Sequence, residues 1–218
     1  MLPTFQKKSL LVRALTHRSA LNESSSDSSV SNERLEFFGD AVLELAVTKF
    51  LFEKYPDEKE GVLSAYRSAL VKTQTLSNVA REIGLGKELY MSKGEEATGG
   101  RENDNILEDT FEAVIGAIYL DQGFEVAEKF IAEHLLPKMD QIVKEKLYRD
   151  AKSHLQEIVQ SKGLDAPDYQ VTKESGPDHD KKFTIEVLVD GQVKGLGQGK
   201  SKQSAQQAAA SQALKNIS

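Results

Sequence analysis

No cysteine occurs among the 218 residues, which excludes disulfides and thiolate metal sites and fits a reducing compartment. No apolar run approaches the roughly 20 residues needed to cross a bilayer. The opening "MLPTFQKKSLLVRALTH" lacks the uninterrupted apolar segment of a signal peptide. A cytoplasmic protein without a membrane partner is therefore expected. Arginine is absent from Asp150 onward, where nine lysines meet nine acids and leave that part neutral. The preceding 149 residues hold 19 basic and 25 acidic residues and so carry the whole net charge of −6. An acidic excess argues at first sight against a nucleic-acid partner. Its concentration in one half raises a cation site there, set against the plainer reading of a solvated acidic surface.

Hydrophobic content of 39% and charged content of 28% describe a globular chain, long enough for one large domain or two of ordinary size. Up to about Tyr148 the pattern is helical. "SLLVRALTH", Leu35 to Phe52, Leu63 to Ile83, Ile106 to Leu120 and Glu125 to Leu147 repeat apolar residues every three or four positions. "LNESSSDSSVSN" is a serine-rich loop between the first two helices. "MSKGEEATGGREND" is a second loop, whose Gly99-Gly100 pair should be mobile or tightly turned. The last third differs. "HLQEIVQSKG" is a short helix with Leu155, Ile158 and Val159 facing inward, and "PDYQVTKES" follows as an extended segment. In "KKFTIEVLVDG", Phe183, Ile185, Val187 and Val189 alternate with polar residues, the two-residue period of a half-buried strand. "QVKGLGQG" makes a third strand, and the alanine-rich "SKQSAQQAAASQALKNI" a closing helix able to lie close on a sheet. This is a separate α-β-β-β-α unit. The expected division is 1–147, a linker at 148–150, and 151–218.

Within "NERLEFFGDAVLELA", residues 32 to 46, Glu33, Glu36, Phe37 and Asp40 share one helix side. Leu35, Phe38, Val42, Leu45 and Ala46 form the opposite, core-facing stripe. A second acidic helix, "NILEDTFEAVIGAIYLD", has the core stripe Leu107, Phe111, Val114, Ile115 and Ile118. Asp109 and Glu112 lie on its reverse side beside Ala113 and Gly116, whose small size leaves room for a neighbouring helix. If the two helices meet, four carboxylates offer the oxygen donors that hard cations prefer. Two metals so held can activate a water and stabilise the leaving oxygen of a phosphodiester. Either acidic pair alone is ambiguous, because Asp and Glu populate exposed helix faces routinely. Phe37 is equally open to packing on a loop.

The literal strings carry more. "NERLEFFGDAVL" and "ILEDTFEAVIGAIYLD" resemble two motifs of ribonuclease III, and "EGVLSAYRSALV" and "ALTHRSA" match further blocks in that family's order. The resemblance covers essentially the whole chain. It implies an all-α endonuclease domain followed by a small α+β double-stranded-RNA-binding domain. It implies a Mg²⁺-dependent endoribonuclease, with Mn²⁺ able to substitute, that leaves 5′-phosphate and 3′-hydroxyl ends with short 3′ overhangs. Maturation of ribosomal and messenger RNA precursors is the implied role. The family's metal cluster and catalytic acids fall on Glu36, Asp40, Asp109 and Glu112, and its outer acids on Glu33 and Glu60. Phe37 takes the place of an aromatic that enters a pocket on the partner subunit of a symmetric homodimer. Glu108 departs from the family, which more often has alanine there; it either points outward or raises the local negative field.

In the closing unit the resemblance assigns Ser153, Gln156 and Gln160 to one minor groove of duplex RNA and the "GPDH" turn with His179 to the next. Lys200 and Lys202 would hold the intervening phosphates, near a helix N-terminus that itself favours anions. Such a unit reads A-form shape over about 16 base pairs. Gln203 stands where a third basic residue is common, which lowers the expected affinity and salt slope. Two other readings remain at this point: a non-catalytic double-stranded-RNA-binding protein, and a helical interaction module.

Overall fold

The computed structural model describes residues 2–22, 30–148, 150–177 and 181–217. Most of the serine-rich loop and His179 lie outside these residues. The chain forms two compact units, Met1–Tyr148 and Arg149–Ser218.

The first unit is helical. Its elements are α1 (Lys8–Ala14), a 3₁₀ turn at Arg18–Asn22, α2 (Glu33–Lys54), α3 (Glu60–Leu70), α4 (Thr73–Glu82), α5 (Leu85–Glu88) and α6 (Lys93–Ala97). After a 3₁₀ turn at Gly100–Glu102 come α7 (Asp104–Gln122), α8 (Phe124–His134) and α9 (Lys138–Lys144). Helix α7 is the axis, packed by α1, α2, α4 and α8. Leu107, Phe111, Val114, Ile115 and Ile118 are wholly buried, as the apolar spacing of that helix implies. So are Ala113, Ala117 and Thr110, the last of which donates its hydroxyl to the Ile106 carbonyl at 2.6 Å. A helix enclosed on most sides needs such small or self-satisfied residues where neighbours press closest.

Three local expectations change. The core stripe of α2 runs through Leu35, Val42, Leu43, Ala46, Val47 and Leu51, while Leu45 is 58% exposed. Leu43 takes its place because a helix embraced by several neighbours buries more than one row. The stretch from Leu63 to Ile83 is two helices, broken at Val71 and Lys72, where Lys72 is extended and the Thr75 hydroxyl donates to Ala69 O at 2.9 Å. The stretch from Glu125 to Leu147 breaks before α9 at Pro137, which has no N–H to continue a helix. The loop at 91–104 is also more ordered than its composition suggests. Ser92 caps α6, Gly99 turns tightly at φ +87, and the Arg101 guanidinium donates to Gly86 O at 2.9 Å and Leu89 O at 3.0 Å.

The second unit is α10 (Ala151–Ser161), β1 (Asp168–Ser175), β2 (Lys182–Val189), β3 (Gln192–Gly199) and α11 (Lys202–Ile217), with an antiparallel sheet in the order β1-β2-β3. Ile185, Val187 and Val189 are buried as their alternation requires, and Asp190-Gly191, both at positive φ, close the β2–β3 hairpin. Helix α11 presses on β3 through small residues on both surfaces. A Cβ added to Gly197 would sit 2.1 Å from the Ala209 nitrogen, and one on Gly195 2.3 Å from the Ala209 carbonyl oxygen.

Candidate active site and RNA-binding face

Helices α2 and α7 cross with their backbones touching. A Cβ on Gly39 would lie 1.8 Å from the Glu112 carbonyl oxygen, and one on Gly116 2.4 Å from the Leu35 carbonyl oxygen. Reciprocal glycines therefore fix the crossing, and Phe38 against Tyr119, edge to face at 5.1 Å, braces it. Glu36 and Asp40 are placed by one helix and Asp109 and Glu112 by the other, all on the same side of the contact. Of the two glycines, only Gly116 stands out when the acidic helices are read separately. Gly39 becomes meaningful once its partner is known.

The electrostatics follow from this crowding. Glu112 is half-buried, and its carboxyl is pushed up to about 8, first by burial and then by the charges of Asp40, Glu108, Asp109 and Glu36. Glu36 is raised by burial and then by Asp109, Glu33, Glu108 and Asp40. Burial also raises Asp109, against the opposing pull of His17 and Arg18. The four acids thus act on one another across the helix crossing. Among the described residues no three acidic or imidazole groups close on a single point at metal-ligand distance.

The outer acids divide. Glu33 belongs to the cluster: it raises both Glu36 and Asp109, accepts from the Ser31 hydroxyl at 2.7 Å, and lies 3.8 Å from Arg18. Glu60, the first residue of α3, is exposed, accepts from the Ser64 hydroxyl at 2.9 Å and is not among the charges that perturb the four acids. Glu108 is half-buried and turned toward the cluster, hydrogen-bonded to Thr73, so of its two readings the stronger negative field holds. The His17 and Arg18 of "ALTHRSA" stand beside the acids, a placement that their own local sequence does not signal. Phe37 is 81% exposed on the same helix.

In the second unit, Ser153, Gln156 and Gln160 line the exposed face of α10, opposite buried Leu155 and Val159. The Asp150 carboxylate caps this helix by accepting from the Ser153 N–H at 2.8 Å and is tied to Gln207 of α11. At the start of α11, Ser201 and Ser204 exchange N–H···Oγ bonds of 3.1 Å each, a reciprocal cap. Lys200 and Lys202 are exposed there. Lys202 pairs with Glu174 at 3.2 Å and lies over the Phe183 ring at 5.7 Å.

Residues 7–139 match the Ribonuclease-III-like family, and residues 151–217 match the Double-stranded RNA binding motif. A Ribonuclease 3 of Pelotomaculum thermopropionicum is 47% identical over 210 residues, spanning 96% of this chain and 87% of the relative. The chain belongs to the ribonuclease III family. A Ribonuclease 3 of Caldanaerobacter subterraneus is 45% identical over 213 residues, covering 98% of this chain and 93% of the relative. The solved nuclease domain of ribonuclease III from Campylobacter jejuni, in which a region takes part in dimer formation, shares 46% identity and a TM-score of 0.56 over 62% of this chain and 90% of its own. As a ribonuclease III, this chain is a double-stranded-RNA-specific endoribonuclease. Its first unit is the nuclease fold, and its second the α-β-β-β-α fold that binds duplex RNA. Among the described residues no helix is long and apolar enough to cross a membrane.

Proposed function

We propose that Glu36, Asp40, Asp109 and Glu112 hold divalent cations, Mg²⁺ with Mn²⁺ able to substitute, and that the enzyme hydrolyses duplex RNA to 5′-phosphate and 3′-hydroxyl ends with short 3′ overhangs. The observation that carries this reading is Glu112, pushed up to about 8 by its own burial and by four neighbouring acids. A site that costs a carboxylate this much in isolation suits a compensating positive charge. All the donors are oxygen, which favours hard cations. When bound, the ions supply Lewis-acid stabilisation and lower the pKa of a water. The residues of the chain hold and separate the charge: the Gly39–Gly116 contact sets the spacing of the two acid pairs, and Thr73 orients Glu108 beside them. Glu33 and Glu60 are outer acids that contact RNA or ordered water.

The proposed assembly is a symmetric homodimer. Phe37 protrudes, and a recess of about 470 Å³, lined by Leu51, Phe52 and Leu63 together with Glu58, Glu60 and Arg67, is of a size to receive a phenyl ring. A C₂ interface would use each patch twice. We assign residues 1–147 to the endonuclease domain and 151–218 to the RNA-binding domain, joined at 148–150. In the latter, Ser153, Gln156, Gln160 and the turn at His179 meet successive minor grooves, and Lys200 and Lys202 meet the phosphates between. Processing of ribosomal, messenger and transfer RNA precursors in the cytoplasm is the corresponding cellular role.

Cleavage of a long RNA duplex with Mg²⁺ and with EDTA tests the reading, alongside Asp40→Asn. Loss of cutting in EDTA and in the variant, with duplex binding retained, is the expected result. Undiminished cleavage by Asp40→Asn would overturn the assignment.

A further inference from the structure

The short helix α5 ends with carbonyls that lack intrahelical donors, as every helix end does. Arg101 supplies the donors. Its Nη1 donates to Gly86 O at 2.9 Å, Leu89 O at 3.0 Å and Lys87 O at 3.3 Å, while its Nε donates to the Glu96 carboxylate of α6 at 2.7 Å. Gly86 permits this approach, because a Cβ there would sit 2.4 Å from the Arg101 carbonyl oxygen. One planar guanidinium therefore ties α5 to α6, with a set of bonds that a lysine ammonium does not reproduce.

The tie continues toward the acids. Leu89 leads directly into Tyr90, whose N–H donates to Leu15 O at 2.8 Å and whose carbonyl accepts from the His17 N–H at 2.9 Å, forming a parallel bridge. Two residues on, the Ser92 N–H holds the Ser19 hydroxyl oxygen at 3.0 Å, and that oxygen lies 2.8 Å from His17 Nδ1. Thr16 O in turn accepts from the Asn32 N–H at 2.9 Å, at the start of α2. His17 and Arg18 come after the end of α1 and are carried by no α-helix of their own. Their place beside Asn32, Glu36 and Asp109 is accordingly set by Tyr90 and Ser92. Tyr90 is set by the carbonyls that Arg101 holds.

We propose that Arg101 is a positioning residue for RNA cleavage: from outside the acidic recess it fixes His17 and Arg18 against the acids, acting through the segment Leu89 to Ser92. The inference rests on the acid cluster being the place where the duplex is cut.

Arg101→Ala tests it in the full-length protein. Single-turnover cleavage at saturating duplex in Mg²⁺ should slow at least about ten-fold, since a misplacement of about 1 Å costs on the order of 100-fold. Duplex affinity without metal should stay within about two-fold, because the second unit carries it. The imidazole nitrogen NMR signals of His17 should move, because its contact with Ser19 depends on Ser92. The Arg101 side chain is 30% exposed, so guanidinium ion below denaturing concentration should restore part of the variant's rate and give the wild-type enzyme nothing. A variant that is slow only because it is less stable would lose further rate instead. Cleavage within about two-fold of wild type, unmoved His17 signals, or a slow variant that guanidinium fails to help would each overturn the proposal. If Arg101→Ala does not fold, Arg101→Lys decides, since it keeps the charge without the planar fork: slower cutting and moved His17 signals are expected, and wild-type values for both would overturn the proposal. Asp40→Asn in the same assay separates the two readings. Full-speed cutting by Asp40→Asn removes the acid-cluster reading and this inference with it, whereas a slow Asp40→Asn beside a full-speed Arg101→Ala removes this inference alone.

Discussion

Cation binding at the acid cluster should release a proton from Glu112, and its affinity should therefore climb steeply with pH. With the carboxyl at about 8 in the cation-free protein, only the ionised fraction is ready to bind. The apparent dissociation constant is multiplied by about 100 at pH 6, about 11 at pH 7 and about 2 at pH 8 relative to the fully ionised limit. Glu36, Asp109 and Glu108 are raised in the same direction, so the part of the slope that Glu112→Gln removes is the part that belongs to Glu112. The assay is thermal denaturation of EDTA-stripped protein titrated with Mg²⁺ at each pH. The half-saturating concentration should fall about ten-fold from pH 6 to 7, about five-fold from 7 to 8, and less than two-fold from 8 to 9. Glu112→Gln should bind more weakly and show a shallower slope between pH 6 and 9. Equal half-saturation at pH 6 and 8 in the wild-type protein would refute the reasoning, because it would mean that no proton is displaced there.

Without cations the same group links stability to pH with a definite sign. Its folded pKa is raised from 4.5 to about 8, so the stabilisation of the protonated form is complete below about pH 4.5 and disappears as pH rises toward 8. The Tm of stripped wild-type protein should therefore lose more between pH 5 and 8 than that of Glu112→Gln. Gly39→Ala drives a methyl into the Glu112 carbonyl and should cost about 3 kcal/mol, or roughly 6–12 °C in Tm; a Tm unchanged within 2 °C would deny the tight crossing. Phe37→Ala removes two symmetry-related anchors of roughly 1.5–3 kcal/mol each and should weaken dimerisation at least 100-fold by sedimentation. Lys202→Ala should weaken duplex binding and flatten the salt slope by about one unit, whereas Glu174→Gln, which frees Lys202 from its 3.2 Å pair, should tighten it.

Regular periodicity made the element types legible. The three- and four-residue repeats of α2 and α7, and the alternation from Phe183 to Val189, depend on each segment having one apolar side, which composition records directly. Breaks were less legible. Pro137 is a local signal for the end of a helix, but the bend at Val71 and Lys72 occurs between segments that each keep the helical repeat. Leu45 and Leu43 exchanged burial because a helix packed by several neighbours is not bound to one stripe.

The sequence by itself determined the two-part architecture, and it singled out two acidic helix faces and the small residues beside them, because these are properties of local pattern and of side-chain chemistry. Only the tertiary structure decided that Gly39 and Gly116 bring the acids together, that Glu108 turns inward, and that Asn32 and His17 share a recess with Glu36 and Asp109. Those facts depend on desolvation and on charge acting through space between segments some 70 to 90 residues apart, a distance across which the chain's local pattern carries no information.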